Sequence, residues 1–102
     1  MKVVNIAKDF SKYPAGRNKA DGPYCGELFR ETHLEPSMQD NKELTIKLDG
    51  TRGYGSSFLE EAFGGLVRAG HTPVKIKKLI TIISSDSSLK EEIFEYIDEG
   101  GD

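Results

Sequence analysis

The sequence predicts a small α/β domain, and three observations carry that reading. Apolar and polar residues alternate through Leu44-Thr45-Ile46-Lys47-Leu48; a broad apolar face recurs at helical spacing from Phe58 to Val67; and turn-forming residues separate three strand-then-helix units. Parallel strands must be joined by crossovers, usually helices, so this rhythm favours one sheet with helices packed on it. At 102 residues the chain has the size of a single domain, residues 1–102, with a single core.

Each element can be justified in order. Lys2 to Ala7 is a short β-prone piece, and the Pro and Gly residues between Tyr13 and Gly22 oppose regular structure there. Pro23 fits the first position of a helix, where a missing N–H costs nothing; Cys25, Leu28, Phe29 and Thr32 supply its inward spacing and Pro36 is expected to end it. Leu44 to Leu48 reads as a half-buried strand. The second main helix turns Phe58, Leu59, Ala62, Phe63, Leu66 and Val67 inward and stops at Gly70. Gly64 and Gly65 inside it each cost about 1 kcal/mol relative to alanine, which points to close approach of another backbone. Thr72-Pro73 caps one further turn. Leu79-Ile80-Thr81-Ile82-Ile83 is nearly all apolar and is expected to be an inner strand covered on both faces. The last helix runs from about Leu89 to Asp98 with Leu89, Ile93, Phe94 and Ile97 inward.

Composition narrows the function. Hydrophobic residues make up 36% and charged residues 30%, as in a globular domain, and no apolar run approaches the length of a bilayer span. Lys8 and Asp9 interrupt any signal-peptide core, so a cytoplasmic protein is expected. A net charge of -3 offers no electrostatic reason to bind bulk nucleic acid or an anionic membrane. One cysteine and two histidines leave a structural zinc site without ligands, so no metal is expected. Cys25 reads as a small apolar core residue, and His33 and His71 as surface residues near helix ends.

The chemistry-bearing stretch is Asp49-Gly50-Thr51-Arg52-Gly53-Tyr54-Gly55-Ser56-Ser57, between the carboxyl end of a strand and the start of a helix. In α/β sheets ligands and partners bind at that edge. Ser57-Phe58-Leu59-Glu60 has capping-box spacing, as does Ser88-Leu89-Lys90-Glu91 before the last helix. Gly53 and Gly55 around Tyr54 open access to the hydroxyls of Ser56 and Ser57. A phosphoryl group on either serine would meet the positive end of the helix but also the charges of Glu60 and Glu61.

Gly16-Arg17, Asp21-Gly22-Pro23, Gly26-Glu27-Leu28-Phe29-Arg30 and above all Gly53-Tyr54-Gly55-Ser56-Ser57-Phe58-Leu59-Glu60-Glu61-Ala62-Phe63-Gly64-Gly65-Leu66 resemble the STAS-like domain family, over nearly the whole chain. The resemblance implies a small sheet of about four strands with three main helices. That family is similar in turn to the STAS domains of anti-sigma-factor antagonists, which present a serine to a kinase of histidine-kinase-like ATPase fold. It thus implies a non-catalytic regulatory module with Ser57, or Ser56, as phosphoacceptor and a histidine-kinase-like ATPase or serine kinase as partner. Asp49, Arg52, Gly53, Tyr54, Gly55, Glu60 and Glu61 form the expected partner surface. Gly55 stands where the antagonists have aspartate, and Phe58 where they have glycine.

Rival chemistries fare worse. No Gly-Lys-Ser/Thr follows the glycines, the third glycine of a dinucleotide fingerprint is missing, and there is no Gly-x-Ser-x-Gly elbow. No catalysis and no cofactor are expected. Among Arg17, Arg30 and Arg52, the first and last lie in loops leading to helices and are the candidates for an anion site, so a small-ligand sensor for a nucleotide or anion is the alternative function. A homodimer formed through an exposed sheet edge is the third reading.

Overall fold

The computed structural model describes residues 2–101. Three parallel strands, β1 (Lys2–Asn5), β2 (Leu44–Lys47) and β3 (Ile80–Ile83), form one sheet in that order. The register sets Lys2 beside Leu44 and Leu44 beside Ile80, and ends with Asn5, Lys47 and Ile83 in one row.

Among the described residues five helices of a full turn or more, and a 3-10 turn at Lys19–Asp21, accompany the strands. Helix α1 is the single turn Ile6–Asp9, capped by the Asn5 side chain, which accepts from the Lys8 N–H at 3.2 Å. Helix α2 runs through Gly26–Phe29, a π-helical turn Arg30–Leu34 and a last segment Glu35–Gln39. Helix α3 repeats that plan with Ser56–Leu59, a π-helical turn Glu60–Gly64, and Gly65–Arg68. Helix α4 is Pro73–Leu79, capped by Thr72, and α5 is Ser87–Glu99. Among the described residues the sheet thus has three strands where about four were expected, and there are five helices where three main ones were. The β-prone Lys2 to Ala7 divides between β1 and α1, and the turn after Thr72-Pro73 extends into a full helix.

Two further expectations fail for identifiable reasons. Pro36 does not end α2, because it falls in the first turn of the segment after the π turn, where a missing N–H is tolerated. Pro23 does not begin α2 either. Cys25, fully buried, is its N-cap, with Sγ accepting from the Leu28 N–H at 3.4 Å.

The helices cover one face of the sheet. Val4, Leu44, Ile46, Ile80 and Ile82 point into a core shared with Phe29, Leu34, Phe58, Phe63, Leu66, Ile76, Ile93 and Ile97. Both crossovers run in the same direction across the sheet, and the preference for right-handed connections then puts their helices on the same side. The other face is open, with Val3 50% and Ile83 46% exposed. β3 is therefore not the inner strand its apolar run implied; it is an edge strand, and β2 lies in the centre.

Candidate functional site

Because the strands are parallel, their carboxyl ends share an edge, where α1, the loop from Leu48 to Gly55 and the turn Ser84 to Asp86 converge. The loop is held at three points. The Asp49 carboxylate accepts from the Ser85 N–H at 3.0 and 3.2 Å and from its hydroxyl at 3.1 Å, tying the end of β2 to the turn after β3. The Arg52 N–H donates to the Lys12 carbonyl at 2.8 Å, joining the loop to the segment after α1. The Tyr54 hydroxyl donates to the Leu48 carbonyl at 2.5 Å, and its ring lies 6.1 Å from that of Phe58. Tyr54 is half-buried against the core and not projected as a free contact, and this burial raises its pKa.

Between these anchors lies a shallow groove of about 380 Å³ lined by Leu48, Asp49, Thr51, Tyr54, Ser85 and Leu89. Gly53 has φ of 125°, a conformation open to glycine. Gly55 has an ordinary extended conformation and no atom near a would-be Cβ, so only one of the two glycines around Tyr54 is needed for the backbone path.

The serines do not cap. Helix α3 begins at Ser56, its N-cap is Gly55, and no side chain bonds its free N–H groups. Ser56 and Ser57 are exposed, and neither hydroxyl has a hydrogen-bond partner among the described residues. The capping box fails because Glu60 is claimed elsewhere. Its counterpart also fails at Ser88: Asp86 caps α5, accepting from the Ser88 N–H at 2.9 Å and from its hydroxyl at 2.6 Å.

Glu60 and Glu61 belong to a charge network between α2 and α3. Arg68 grips Glu60 with two nitrogens, at 2.8 and 3.0 Å, and Arg17 bonds Glu60 and reaches Glu61 at 3.3 Å. Arg30 pairs with Glu61, meets Glu35 at 3.1 Å and donates to the Glu61 carbonyl at 3.1 Å. Arg68, and after it Arg17, hold the Glu60 carboxyl below its ordinary pKa. Burial opposes the charge on Arg30, yet Glu61 and Glu35 keep its pKa above the ordinary value. Glu60 and Glu61 are thus largely occupied inside the molecule, and Arg17 does not join Arg52 at a common anion position. The Arg52 side chain is exposed and has no ion-pair partner among the described residues.

The paired glycines of α3 serve this packing. A Cβ on Gly64 would lie 3.1 Å from the Tyr96 carbonyl oxygen, the backbone approach expected, whereas one on Gly65 would collide with the Arg30 guanidinium. The sequence reading missed Arg68 and Glu35, although Arg68 follows Glu60 by about two helical turns, a spacing that puts both on one face. It also misplaced His33, which is half-buried against Phe29 and Phe10 at 5.3 and 5.9 Å, with its Nδ1 unpartnered. No three His, Cys, Asp or Glu side chains among the described residues are grouped to hold a metal ion, and no helix there is long and apolar enough to cross a membrane.

Residues 25–90 match the family described as a STAS-like domain of unknown function (DUF4325). The chain belongs to that family. Within this STAS-like domain the match takes in α2, β2, the site loop, α3, α4, β3 and the start of α5, and leaves β1 and the Arg17 loop outside it. No curated protein and no solved structure matches the chain.

Proposed function

We propose that this STAS-like domain is a non-catalytic, cytoplasmic regulatory module that binds a protein partner through the carboxyl edge of its sheet, with Ser57, or Ser56, as a phosphorylation switch. The observation that carries the reading is the pair of exposed hydroxyls on the first turn of α3, uncommitted to capping and flanked by the Asp49 to Gly55 loop. Arg52, exposed and unpaired in that loop, adds a cation to the same edge. The resemblance to anti-sigma-factor antagonists supports a histidine-kinase-like ATPase or serine kinase as the partner. Phe58, where those proteins have glycine, is fully buried in the core, so it does not block the edge. The small-ligand alternative loses its second arginine, because Arg17 is engaged with Glu60 and Glu61.

The test is to isolate the full chain with its native partner, map phosphate on Ser56 and Ser57 by mass spectrometry, and compare partner binding of the wild type with Ser56→Asp and Ser57→Asp. Phosphate on one serine and a change of tenfold or more in affinity for the matching variant is the expected result, since a charge placed in an interface contributes on the order of 1.4 kcal/mol or more. Unmodified serines with equal binding by all three proteins would overturn it.

A further inference from the structure

We propose that Arg17 is an internal receptor for a phosphoryl group on Ser57, leaving Glu60 and Glu61 when that serine is modified. The inference rests on the reading of Ser57 as an acceptor and adds how the domain takes up the charge.

Three observations point to Arg17 and not to its neighbours. First, it is the redundant cation of the network. If Arg17 leaves, Glu60 keeps the two-nitrogen grip of Arg68, and Glu61 keeps Arg30. If Arg30 left instead, a side chain only 13% exposed would abandon Glu61 and Glu35 together. Second, the main chain of Arg17 is fixed while its side chain is accessible. Its N–H donates to Asp21 Oδ2 at 3.1 Å, its carbonyl accepts from the Glu27 N–H at 3.0 Å, and its side chain is 39% exposed. Third, Ser57 lies on the same stripe of α3, three residues before Glu60 and four before Glu61, so it is a one-turn neighbour of both carboxylates that Arg17 holds. The start of α2, to which the Arg17 carbonyl is bonded, packs on this part of α3: a Cβ on Gly26 would collide with the Phe58 carbonyl and lie 3.0 Å from Glu61 Cβ.

The chemistry favours the exchange. Transfer from a nucleoside triphosphate forms a bond between Ser57 Oγ and the γ-phosphorus and breaks the bond from that phosphorus to the β,γ-bridging oxygen. The hydroxyl proton passes to solvent and the nucleoside diphosphate leaves. The product carries close to two negative charges one turn from Glu60 and Glu61, so the unrelieved modified state is repulsive. A guanidinium matches the phosphate oxygens in a two-bond fork and gains more from that dianion than from a carboxylate already held by another arginine. Modification then pins the loop from Gly16 to Gly22 onto the start of α3 and offsets part of the new charge within the domain, so a partner meets a rearranged surface as well as a phosphate.

The test uses the full chain carrying phosphoserine at position 57, installed during translation, with no partner present. Phosphorus NMR titration reads the second ionisation of the phosphate, which lies at about 6 for a free phosphoserine. The expected result is a midpoint that rises by about half a pH unit or more, roughly threefold in proton affinity, in Arg17→Gln, with no such rise in Arg52→Gln. Equal midpoints in the wild type and Arg17→Gln, or a rise confined to Arg52→Gln, would overturn the proposal. A second measurement needs no substitution: with nitrogen-15-labelled arginine, the Arg17 Nε–H resonance should move along the phosphate titration while that of Arg30 stays, and a stationary Arg17 signal counts against the exchange. Failure to bind a kinase would sink the partner reading and leave this result standing.

Discussion

Gly26 and Gly55 show how differently two glycines in similar places behave. A Cβ on Gly26 would run into the Phe58 carbonyl, a main-chain atom inside α3 that cannot step aside, whereas one on Gly55 would meet nothing at an ordinary φ. Gly26→Ala should therefore destabilise the fold by about 2 kcal/mol through overpacking, and Gly55→Ala should stay within about 0.5 kcal/mol of the wild type. Urea unfolding checks both; a neutral Gly26→Ala would contradict the close approach of α2 and α3. His33 makes a pH prediction. Burial, and after it the positive charge of Lys2, lowers its pKa below the ordinary 6.5, against an opposing pull from Asp9. The unfolded chain then takes up a proton near 6.5 that the folded chain still refuses, so this contribution to stability is complete above that pH and is lost as pH falls from there toward the folded value. Between pH 7.5 and 5.5 the urea midpoint of the wild type should fall more than that of His33→Gln. Equal slopes would show that His33 is not the source. No sequence pattern marked this histidine as half-buried, because beside Phe29 on its own helix part of its cover comes from Phe10 in the loop after α1, about two dozen positions away in the chain.

At the scale of elements, the helices were found by their periodicity and their ends were misplaced by their caps. Serine three residues before glutamate occurs within the first turns of α3 and α5, yet neither is a capping box, since both serines lie inside their helices, Arg17 and Arg68 claim Glu60, and Asp86 supplies the acceptor for α5. Asp86→Ala should lower the melting temperature, as loss of an N-cap does, and Ser88→Ala distinctly less; the reverse order would restore the serine as the cap. Thermal melting of the two variants distinguishes these outcomes. The π turns were not legible at all. Arg30–Leu34 and Glu60–Gly64 lie on neighbouring helices, and the Arg30 to Glu61 pair spans them, so the wide turns belong to the packing of α2 on α3 and not to either segment's propensity. The glycine-rich loop does lie between β2 and α3, because an alternating strand, a glycine-rich break and an amphipathic helix are local signals.

At the scale of the molecule, the sheet is one-sided and short, and among the described residues its central strand alone is hydrogen-bonded to a neighbour on each side. In hydrogen exchange the amides of Thr45 and Ile46 should open only with global unfolding, while the edge strands β1 and β3 exchange faster by local opening. Exchange in β3 as slow as in β2 would mean that something covers its edge, and a sizing experiment on the same sample would show whether that is a second copy of the chain. The apolar run that implied an inner strand misled because burial on one face and exposure on the other are not distinguished by residues such as Thr81 and Ile83, which tolerate both. Periodicity, turn chemistry and the long motif around Ser56 and Ser57 were enough to establish an α/β domain of the STAS-like family and to point to the edge where its uncommitted hydroxyls lie, since these depend on residues near one another in the chain. Tertiary packing alone decided that Glu60 and Glu61 are held by three arginines, and that Arg17 is the one whose departure would leave both carboxylates paired, because Arg17 and Arg30 reach those carboxylates from segments far away in the chain.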